Sequence, residues 1–326
     1  MNPRLAKLPV LVISAHSRCN CRCGMCDIWR NTDSVCFSRE DLARQLDDIR
    51  ALGVESVVFT GGEPLLNPDL FPMAAMLREH GIRVTLLSTG LLVARYAREI
   101  ASGLDDLIVS LDGPRGVHDR IRGVIGAFDQ LAAGVRAVRK ASPEFPVAAR
   151  CTVQRANHHS VRDTATAAKS LELNWISYLA VDISSAAFNH DETAFARLKS
   201  SLLLNDLEIR DLEREFRLLK EGPLSSMVAE SEMKLARIVE YFRAMAEGRE
   251  PQAPRCNAPW VSAVVEQDGL IRPCFFHPGF GNVKNGSLAE TLNAEPAIHF
   301  RRTLNVADNP TCRRCVCSLY RAEGKG

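Results

Sequence analysis

Three cysteines near the start of the chain have the residue type and spacing of metal ligands. Cys19, Cys23 and Cys26 form a C-x3-C-x2-C pattern on a glycine-containing loop. A cubane iron–sulfur cluster takes one cysteine per iron, so three ligands leave one iron open to a small molecule. A structural zinc site needs a fourth ligand, for which His16 and Cys21 are nearby. The residues alone therefore allow an iron–sulfur site, a zinc knot or a cysteine-rich loop.

A second group of thiols lies near the other end of the chain. It consists of Cys256, Cys274, Cys312, Cys315 and Cys317. A β-hairpin is predicted between Cys256 and Cys274, which brings both to one end of the hairpin. Four converging cysteines complete a site for either zinc or iron–sulfur, and spacing alone does not separate the two metals. The odd total of 11 cysteines argues against a disulfide framework.

The composition is that of an ordinary globular protein. The 326 residues carry a formal net charge of +2, which gives no reason to expect nucleic acid or an anionic membrane as a partner. No stretch reaches the roughly 20 apolar residues that span a bilayer. The apolar segment 9–13 is followed by no small-residue cleavage site and is explained better by a β-strand than by a signal peptide. The sequence therefore predicts a cytoplasmic protein.

Strand and helix patterns alternate from residue 10 to about residue 181. Short connections between them predict a parallel sheet with right-handed crossovers. This α/β pattern favours an open, partial (β/α)6 TIM-like barrel, in which chemistry sits at the carboxyl ends of the strands. The first cysteine loop follows strand 1, Gly61–Pro64 follows strand 2 and Asp112-Gly113 follows strand 4. We therefore expect these motifs to meet at one rim.

Two further segments follow the predicted barrel. Residues 182–249 show the apolar spacing of two helices separated by Gly222-Pro223, and we interpret them as a helical bridge. Residues 250–326 carry the second cysteine group in a small β-hairpin and helix subdomain. The predicted organisation is a barrel core at 1–181, a helical bridge at 182–249 and a cysteine-rich subdomain at 250–326.

Three motifs together resemble the radical S-adenosylmethionine (SAM) superfamily. The first cysteine spacing matches its cluster motif, and Gly61-Gly-Glu-Pro64 matches its SAM-binding motif after strand 2. Ser110-Leu-Asp-Gly-Pro114, followed by His118-Asp119 and Arg122-Gly123, is also similar to that family. The similarity extends across the predicted barrel core. Met25 departs from the family, in which the residue before the last cysteine is usually aromatic.

The resemblance implies cofactors and contacts for them. The implied ligands of a SAM-binding [4Fe-4S] cluster are Cys19, Cys23 and Cys26. Gly61 and Gly62 would let the strand-end backbone approach the methionine moiety of SAM. Glu63 would accept a hydrogen bond from its amino group. Ser110 and Arg122 match family positions that contact SAM, with Arg122 at the SAM carboxylate.

The C-terminal part resembles the twitch version of the SPASM extension. Two spacings carry this similarity: Cys256-x12-Gly269-x4-Cys274 and Cys312-x2-Cys315. A full SPASM domain has seven cysteines and two extra clusters, so the shorter set implies one auxiliary [4Fe-4S] cluster. Its implied ligands are Cys256, Cys274, Cys312 and Cys315, with Cys317 as a substitute or bystander. The resemblance favours iron–sulfur over zinc.

The implied activity is reductive cleavage of SAM to a 5′-deoxyadenosyl radical that abstracts hydrogen from a substrate. An external one-electron reductant such as flavodoxin or ferredoxin is the implied partner. We expect a small-molecule substrate, because the sequence begins almost at strand 1 without the leader-binding domain of many peptide modifiers. A peptide- or protein-modifying enzyme is the alternative. A non-catalytic iron–sulfur or zinc-stabilised binding protein is the third hypothesis, although it would not need Gly61–Pro64.

The auxiliary cluster adds an expectation about the reaction. With four cysteine ligands it has no open iron, so electron transfer or structural support remains as its use. We expect net oxidation of the substrate, with one SAM consumed per product. The residues identify no catalytic base. Cys151 is a candidate hydrogen donor, although strand alternation around Arg150 leaves its direction open.

Overall fold

One open sheet of nine strands runs through the computed structural model, which describes residues 2–322. The strands are β1 (Val10–His16), β2 (Ser56–Gly61), β3 (Arg83–Ser88), β4 (Asp106–Ser110), β5 (Val147–Val153), β6 (Ile176–Ala180), β7 (Ser262–Val265), β8 (Leu270–Arg272) and β9 (Gly281–Asn282). Their order across the sheet is β6-β5-β4-β3-β2-β1-β7-β8-β9. Strands β1 to β6 are parallel to their neighbours, which confirms the partial α/β barrel.

The helices follow the strands of the barrel and continue beyond it. They are α1 (Arg39–Ala51), α2 (Leu70–Glu79), α3 (Ala97–Gly103), α4 (Arg115–Arg122), α5 (Ala127–Ala141), α6 (Val161–Ser170), α7 (Glu192–Leu202), α8 (Asp206–Glu221), α9 (Glu232–Ala246), α10 (Ala258–Val261), α11 (Leu288–Leu292), α12 (Glu295–Thr303) and α13 (Pro310–Arg313). Within the described part of the chain, none of them is long and apolar enough to cross a membrane.

Local sequence signals place the first barrel unit. The Ser38 side chain accepts from the Asp41 backbone N–H, and the Asp41 carboxylate accepts from the Ser38 N–H, a capping box that starts α1. Strands β1 and β2 pair in parallel from Val10↔Ser56 to Ser14↔Thr60. Their alternate residues are buried in the core, which fixes the register because a one-residue slip would expose them.

The predicted hairpin forms but does not stand apart from the barrel. Strand β7 pairs in parallel with β1, from Val10↔Ser262 to Ile13↔Val265, while β8 and β9 add antiparallel strands. The Gln45 side chain on α1 donates to the Val283 and Gly286 carbonyls and accepts from the Leu288 N–H. The cysteine-rich segment therefore extends the barrel sheet, a pairing between distant parts of the chain that the local hairpin pattern did not predict.

The segment after the barrel contains three helices where the sequence predicted two. Leu203 is extended and Asn205 caps α8, its side chain accepting from the Leu207 and Glu208 backbone N–H groups. This cap interrupts the apolar periodicity that suggested one continuous helix from residue 195 to residue 219. Helix α8 packs beside α6, where Arg162 pairs with the Glu215 carboxylate at 2.7 Å.

Candidate active site

The first cysteine loop follows β1 and faces a cavity at the carboxyl ends of the parallel strands, called the main cavity below. Cys19, Cys23 and Cys26 line this cavity. The Cys21 side chain does not line it and is 1% exposed, while its backbone N–H lies 3.5 Å from the Cys19 sulfur. His16 is also turned away, because its Nδ1 accepts from the Arg18 N–H at 2.8 Å. Three thiols of the loop therefore line the cavity. Cys21 and His16, the two residues considered as a fourth zinc ligand, do not.

The thiols of this loop occupy different electrostatic surroundings. Hydrogen bonds from the Cys21 thiol lower the pKa of Cys19 and lower that of Cys23 to about 7. The Arg122 guanidinium, with Nη1 3.7 Å from the Cys23 sulfur, also favours the Cys23 thiolate. Burial raises the pKa of Cys26 to about 12. A positive group beside the cysteine loop suits a site that must hold thiolates.

Gly61 and Gly62 are required by close packing of backbones rather than by space for a ligand. A Cβ at Gly62 would lie 2.0 Å from the Arg18 carbonyl oxygen, and a Cβ at Gly61 would lie 2.8 Å from that of His16. Gly61 also has a φ of +121°, which favours glycine. Both residues line the cavity. The family resemblance explains them by a close approach to the methionine moiety of SAM, whereas the structure shows a close approach to the cysteine loop. Their missing side chains let β2 lie against the cysteine loop.

The Glu63 carboxylate is directed into the protein and is fully buried. It accepts from the Leu65 N–H, the Ser88 hydroxyl, and both the N–H and hydroxyl of Thr89, at 2.7–3.0 Å. Burial raises its pKa, and the Thr89 hydroxyl is the strongest of the opposing hydrogen bonds. Internal donors occupy both oxygens, and the expected contact of Glu63 with the SAM amino group stays a prediction. Glu63 ties the end of β3 to the β2 loop.

The motif after β4 contributes two cavity-lining residues and a network that supports them. Ser110 and Arg122 line the cavity. Arg122 is 7% exposed and pairs with the Asp112 carboxylate at 2.5 Å, and its Nε has no hydrogen-bond partner in residues 2–322. Burial lowers the pKa of Arg122, but Asp112 and the nearby thiols outweigh the effect of burial, so that the pKa of Arg122 is raised overall. His118 accepts from the Asp112 N–H, and burial, with a smaller contribution from Arg122, lowers its pKa to about 4.

The cavity wall also contains residues that the motifs did not identify. Arg150 and Thr152 of β5 line it, whereas Cys151 between them is fully buried and contacts the Asn157 amide at 3.6 Å. Strand alternation explains the difference, since neighbouring residues face opposite sides of the sheet. Cys151 therefore faces away from the cavity and is corrected as a hydrogen donor. The same alternation, anchored by Ser110 on β4, is the sequence signal that identifies Arg150.

Residues 188–190 form a strap that crosses the cysteine loop. None of the sequence motifs identified this strap. The Phe188 carbonyl accepts from the Asp27 N–H at 3.0 Å, and the Asn189 amide donates to the Asp27 carbonyl. Phe188 and Asn189 have φ values of +61° and +63°, which are unfavourable for residues with side chains. Phe188 lines the cavity, so the strap closes one side of it. Strained backbone of this kind is often kept at ligand sites.

The second cysteine group surrounds a smaller cavity. All five cysteines line it: Cys256, Cys274, Cys312, Cys315 and Cys317. The Cys315 thiol donates to the Cys317 carbonyl at 3.0 Å, and Cys317 itself is exposed. The His277 Nε2 lies 3.3 Å from the Cys312 sulfur, a neighbour that the spacing analysis missed. The arrangement brings the predicted ligands together and leaves Cys317 as the least enclosed of them.

Both cysteine groups fit iron–sulfur clusters better than single metal ions. Within residues 2–322, no three His, Cys, Asp or Glu side chains converge on the position of one metal ion. A cluster instead distributes its cysteines over separate irons. The first group also offers a cavity of about 210 Å³, the hydroxyl of Ser110 and the Arg122 Nε, which has no hydrogen-bond partner among residues 2–322. These features suit a cluster together with a charged organic ligand.

Comparison with known families agrees with this geometry. Residues 13–168 match the radical SAM superfamily, and residues 256–316 match SPASM, an iron–sulfur cluster-binding domain. The chain is 30% identical over 300 residues to the AdoMet-dependent heme synthase of Nitratidesulfovibrio vulgaris, covering 87% of this chain and 78% of that protein. The chain therefore belongs to the radical SAM superfamily. It is an enzyme of that family, whose domains imply a [4Fe-4S] cluster, SAM and auxiliary iron–sulfur binding.

Two further relatives come from Methanosarcina barkeri. An AdoMet-dependent heme synthase is 33% identical over 159 residues, which span 47% of this chain and 45% of that protein. The chain thus covers less than half of that relative. Fe-coproporphyrin III synthase is 28% identical over 340 residues, covering 95% of this chain and 81% of the relative.

Solved structures show the same fold. SuiB of Streptococcus suis, solved with SAM bound, has a TM-score of 0.69 and 15% sequence identity. The similarity covers 97% of this chain and 74% of SuiB. A likeness at this identity supports the shared architecture of barrel and cysteine-rich extension.

Proposed function

We propose that this enzyme uses SAM to oxidise a small molecule within the main cavity. When bound, the cluster and SAM supply a 5′-deoxyadenosyl radical by one-electron reductive cleavage. The observation that carries the proposal is the placement of Cys19, Cys23 and Cys26 on one cavity wall beside Ser110 and Arg122. The reductant is an external one-electron donor such as flavodoxin or ferredoxin.

The chain's own residues divide the work of holding SAM. Cys19, Cys23 and Cys26 are the proposed cluster ligands. Arg122 is proposed to bind the SAM carboxylate through donors that Asp112 leaves free, since Asp112 fixes one edge of the guanidinium. Ser110 lies at the end of β4 and offers a hydroxyl from the same wall. Gly61 and Gly62 contribute backbone atoms to the same cavity wall. The buried Glu63 side chain holds that backbone in position.

The cysteine-rich extension is proposed to hold one auxiliary [4Fe-4S] cluster. Cys256, Cys274, Cys312 and Cys315 are the proposed ligands, with the exposed Cys317 as a bystander. Val316, between Cys315 and Cys317, lines the main cavity, so the segment that carries these two thiols borders both cavities. That proximity supports a net oxidation, in which the electron left on the substrate after hydrogen abstraction needs a nearby acceptor.

Tetrapyrroles are the proposed substrate class. Heme synthases and an Fe-coproporphyrin III synthase are among the relatives that align over most of this chain. A peptide substrate is the alternative, supported by the fold shared with SuiB, which has been solved with its precursor peptide SuiA. The cavity favours the small molecule, because the strap at residues 188–190 encloses it on the side of the cysteine loop.

The test is anaerobic turnover of the reconstituted enzyme with SAM and reduced flavodoxin. Native enzyme should form 5′-deoxyadenosine, and a substrate deuterated at the reacting carbon should transfer deuterium to it without return to product. Product and 5′-deoxyadenosine should appear in a ratio of about one to one, as a stoichiometric oxidation requires. Many products per SAM would instead establish an isomerisation, and absence of 5′-deoxyadenosine would contradict the proposed activity.

A further inference from the structure

We propose that Arg150 binds a carboxylate of the substrate, so that the natural substrate is an anionic small molecule. This inference rests on the proposed function, because it assigns a substrate contact within the same cavity. Arg150 belongs to none of the motifs that match the superfamily. Its assignment depends on its place in the sheet, its hydrogen bonding and the charges around it.

Arg150 is held in the cavity wall by the sheet. It pairs with Ser110 of β4 on one side and with Ser177 of β6 on the other, so all three residues lie at the same level of the sheet. Its Nε donates to the Ser177 hydroxyl at 3.3 Å. No other side-chain hydrogen bond of Arg150 occurs within residues 2–322, which leaves both Nη groups for a ligand. The guanidinium is thus oriented at one edge and available at the other.

The Arg150 charge also lacks a countercharge in the cavity. In the part of the chain that the structure describes, no carboxylate forms an ion pair with Arg150. Asp112 is committed to Arg122, and Asp182 accepts from the Ser184 N–H and the Ser185 hydroxyl. Glu230 accepts from the Tyr178 N–H, and burial raises its pKa although Lys234 and Arg150 oppose that rise. A half-buried arginine in a cavity wall gains most from an anion that pairs with it directly.

The rest of the wall indicates what kind of molecule carries that anion. Apolar residues line the same cavity as Arg150: Leu87, Ile108, Val109, Leu179 and Val181. A guanidinium in apolar surroundings binds a carboxylate through two parallel hydrogen bonds. The combination fits a largely apolar molecule with a carboxylate at its edge. Arg122 remains assigned to SAM, because Asp112 and the cysteine loop hold its guanidinium beside the Cys23 sulfur.

The test compares two forms of one probe on the reconstituted holoenzyme with SAM present. The probes are iron coproporphyrin III and its tetramethyl ester, titrated anaerobically in one cosolvent and followed by difference absorbance. The variants are Arg150→Gln, Arg150→Lys and, as a matched loss of charge, Arg98→Gln at an exposed position. Iron content and thermal unfolding are measured for each variant, so that a folding defect is recognised before binding is compared.

The native enzyme should bind the acid at least about tenfold more tightly than the ester. Arg150→Gln should weaken acid binding by about tenfold or more and leave ester binding unchanged, and Arg150→Lys should lose less. Arg98→Gln should behave as the native enzyme. No acid preference in the native enzyme, or a preference that survives in Arg150→Gln, would overturn the proposal.

Two further outcomes separate this inference from the proposed function. A tenfold loss of SAM affinity in Arg150→Gln would make Arg150 a SAM contact and overturn its assignment to the substrate. Absence of 5′-deoxyadenosine from the native enzyme would contradict the proposed function, while the acid preference and its loss in Arg150→Gln would still establish the carboxylate site.

Discussion

The two cysteine groups share one sheet but differ in their surroundings. The first lies at the carboxyl rim of the parallel strands, beside a cavity of about 210 Å³ lined by Arg122 and Arg150. The second surrounds a cavity of about 30 Å³, and its described lining consists of thiols, apolar side chains, Thr311 and His277. The first therefore has room and positive charge for a cofactor with an exchangeable anionic ligand. The second has room for little beyond a group held entirely by its own thiols.

The two regions also differ in how their backbones are held. Close backbone packing at Gly61, Gly62 and Gly123 locks the first loop to the barrel, and a Cβ at each would lie within 2.8 Å of a carbonyl oxygen of that loop. In the second region, the Arg237 guanidinium donates to the Cys315 carbonyl at 2.6 Å. The remaining backbone around these thiols consists largely of short helices and their connections. The barrel sets the geometry of the first site, whereas metal binding has more to contribute to the second.

Removing the thiols of one region gives the largest expected effect. The triple variant Cys19→Ala, Cys23→Ala, Cys26→Ala should abolish SAM cleavage, and its iron content should fall from about eight to about four per chain. A matched variant, Cys256→Ala with Cys274→Ala, should show a similar iron loss and keep uncoupled SAM cleavage. Iron analysis and chromatography of 5′-deoxyadenosine check both. Undiminished SAM cleavage in the triple variant would refute the assignment of the first site.

Breaking the buried ion pair tests the charge that distinguishes the first region. Arg122→Ala should lower the free energy of unfolding by about 3–5 kcal/mol, because it leaves the Asp112 carboxylate buried without its partner. SAM affinity should fall by about tenfold or more. Adding Asp112→Asn should recover part of the stability, since a neutral amide still accepts from the Thr152 N–H, but should not restore SAM binding. Urea unfolding and equilibrium binding measure the two effects, and unchanged SAM affinity would remove Arg122 from the site.

Acid should destabilise the first region through His118. Its pKa is about 4 in the folded protein and 6.5 ordinarily, so the unfolded chain binds more protons between these values. Stability is therefore lost as pH falls from 6.5 towards 4, by about 2 kcal/mol at pH 5. His118→Gln should remove this contribution. Anaerobic urea unfolding at pH 7 and pH 5 checks it, and an equal loss in both proteins would show that other groups are responsible.

The smallest effect is expected from the exposed thiol of the second region. Cys317→Ser should keep about eight irons per chain, whereas Cys315→Ser should lose iron from the second site, because Cys315 is half-buried and Cys317 is exposed. Iron analysis and electron paramagnetic resonance of the reduced proteins distinguish them. Iron loss in Cys317→Ser with retention in Cys315→Ser would exchange the two assignments.

Local signals were sufficient for the barrel and for much of its rim. Strands and helices alternate from β1 to β6 as the sequence pattern predicts, and Ser38 starts α1 through a capping box. Strong apolar runs and a capping box act over a few residues, so tertiary packing does not need to be known. The break at Asn205 was missed for the opposite reason, since the apolar spacing continues across a polar cap and only the folded chain shows which signal prevails.

The sequence by itself indicated the class of chemistry through its resemblance to the radical SAM superfamily, because the thiol spacing and the order of the motifs do not depend on folding. Only the tertiary structure decided which polar groups face the cavity. Glu63 and Cys151 are turned into the protein, while Arg150 faces the cavity. The pairing of β7 with β1 is likewise a tertiary result. Side-chain direction and pairing between distant strands depend on burial and on edges that form only when the whole sheet has assembled.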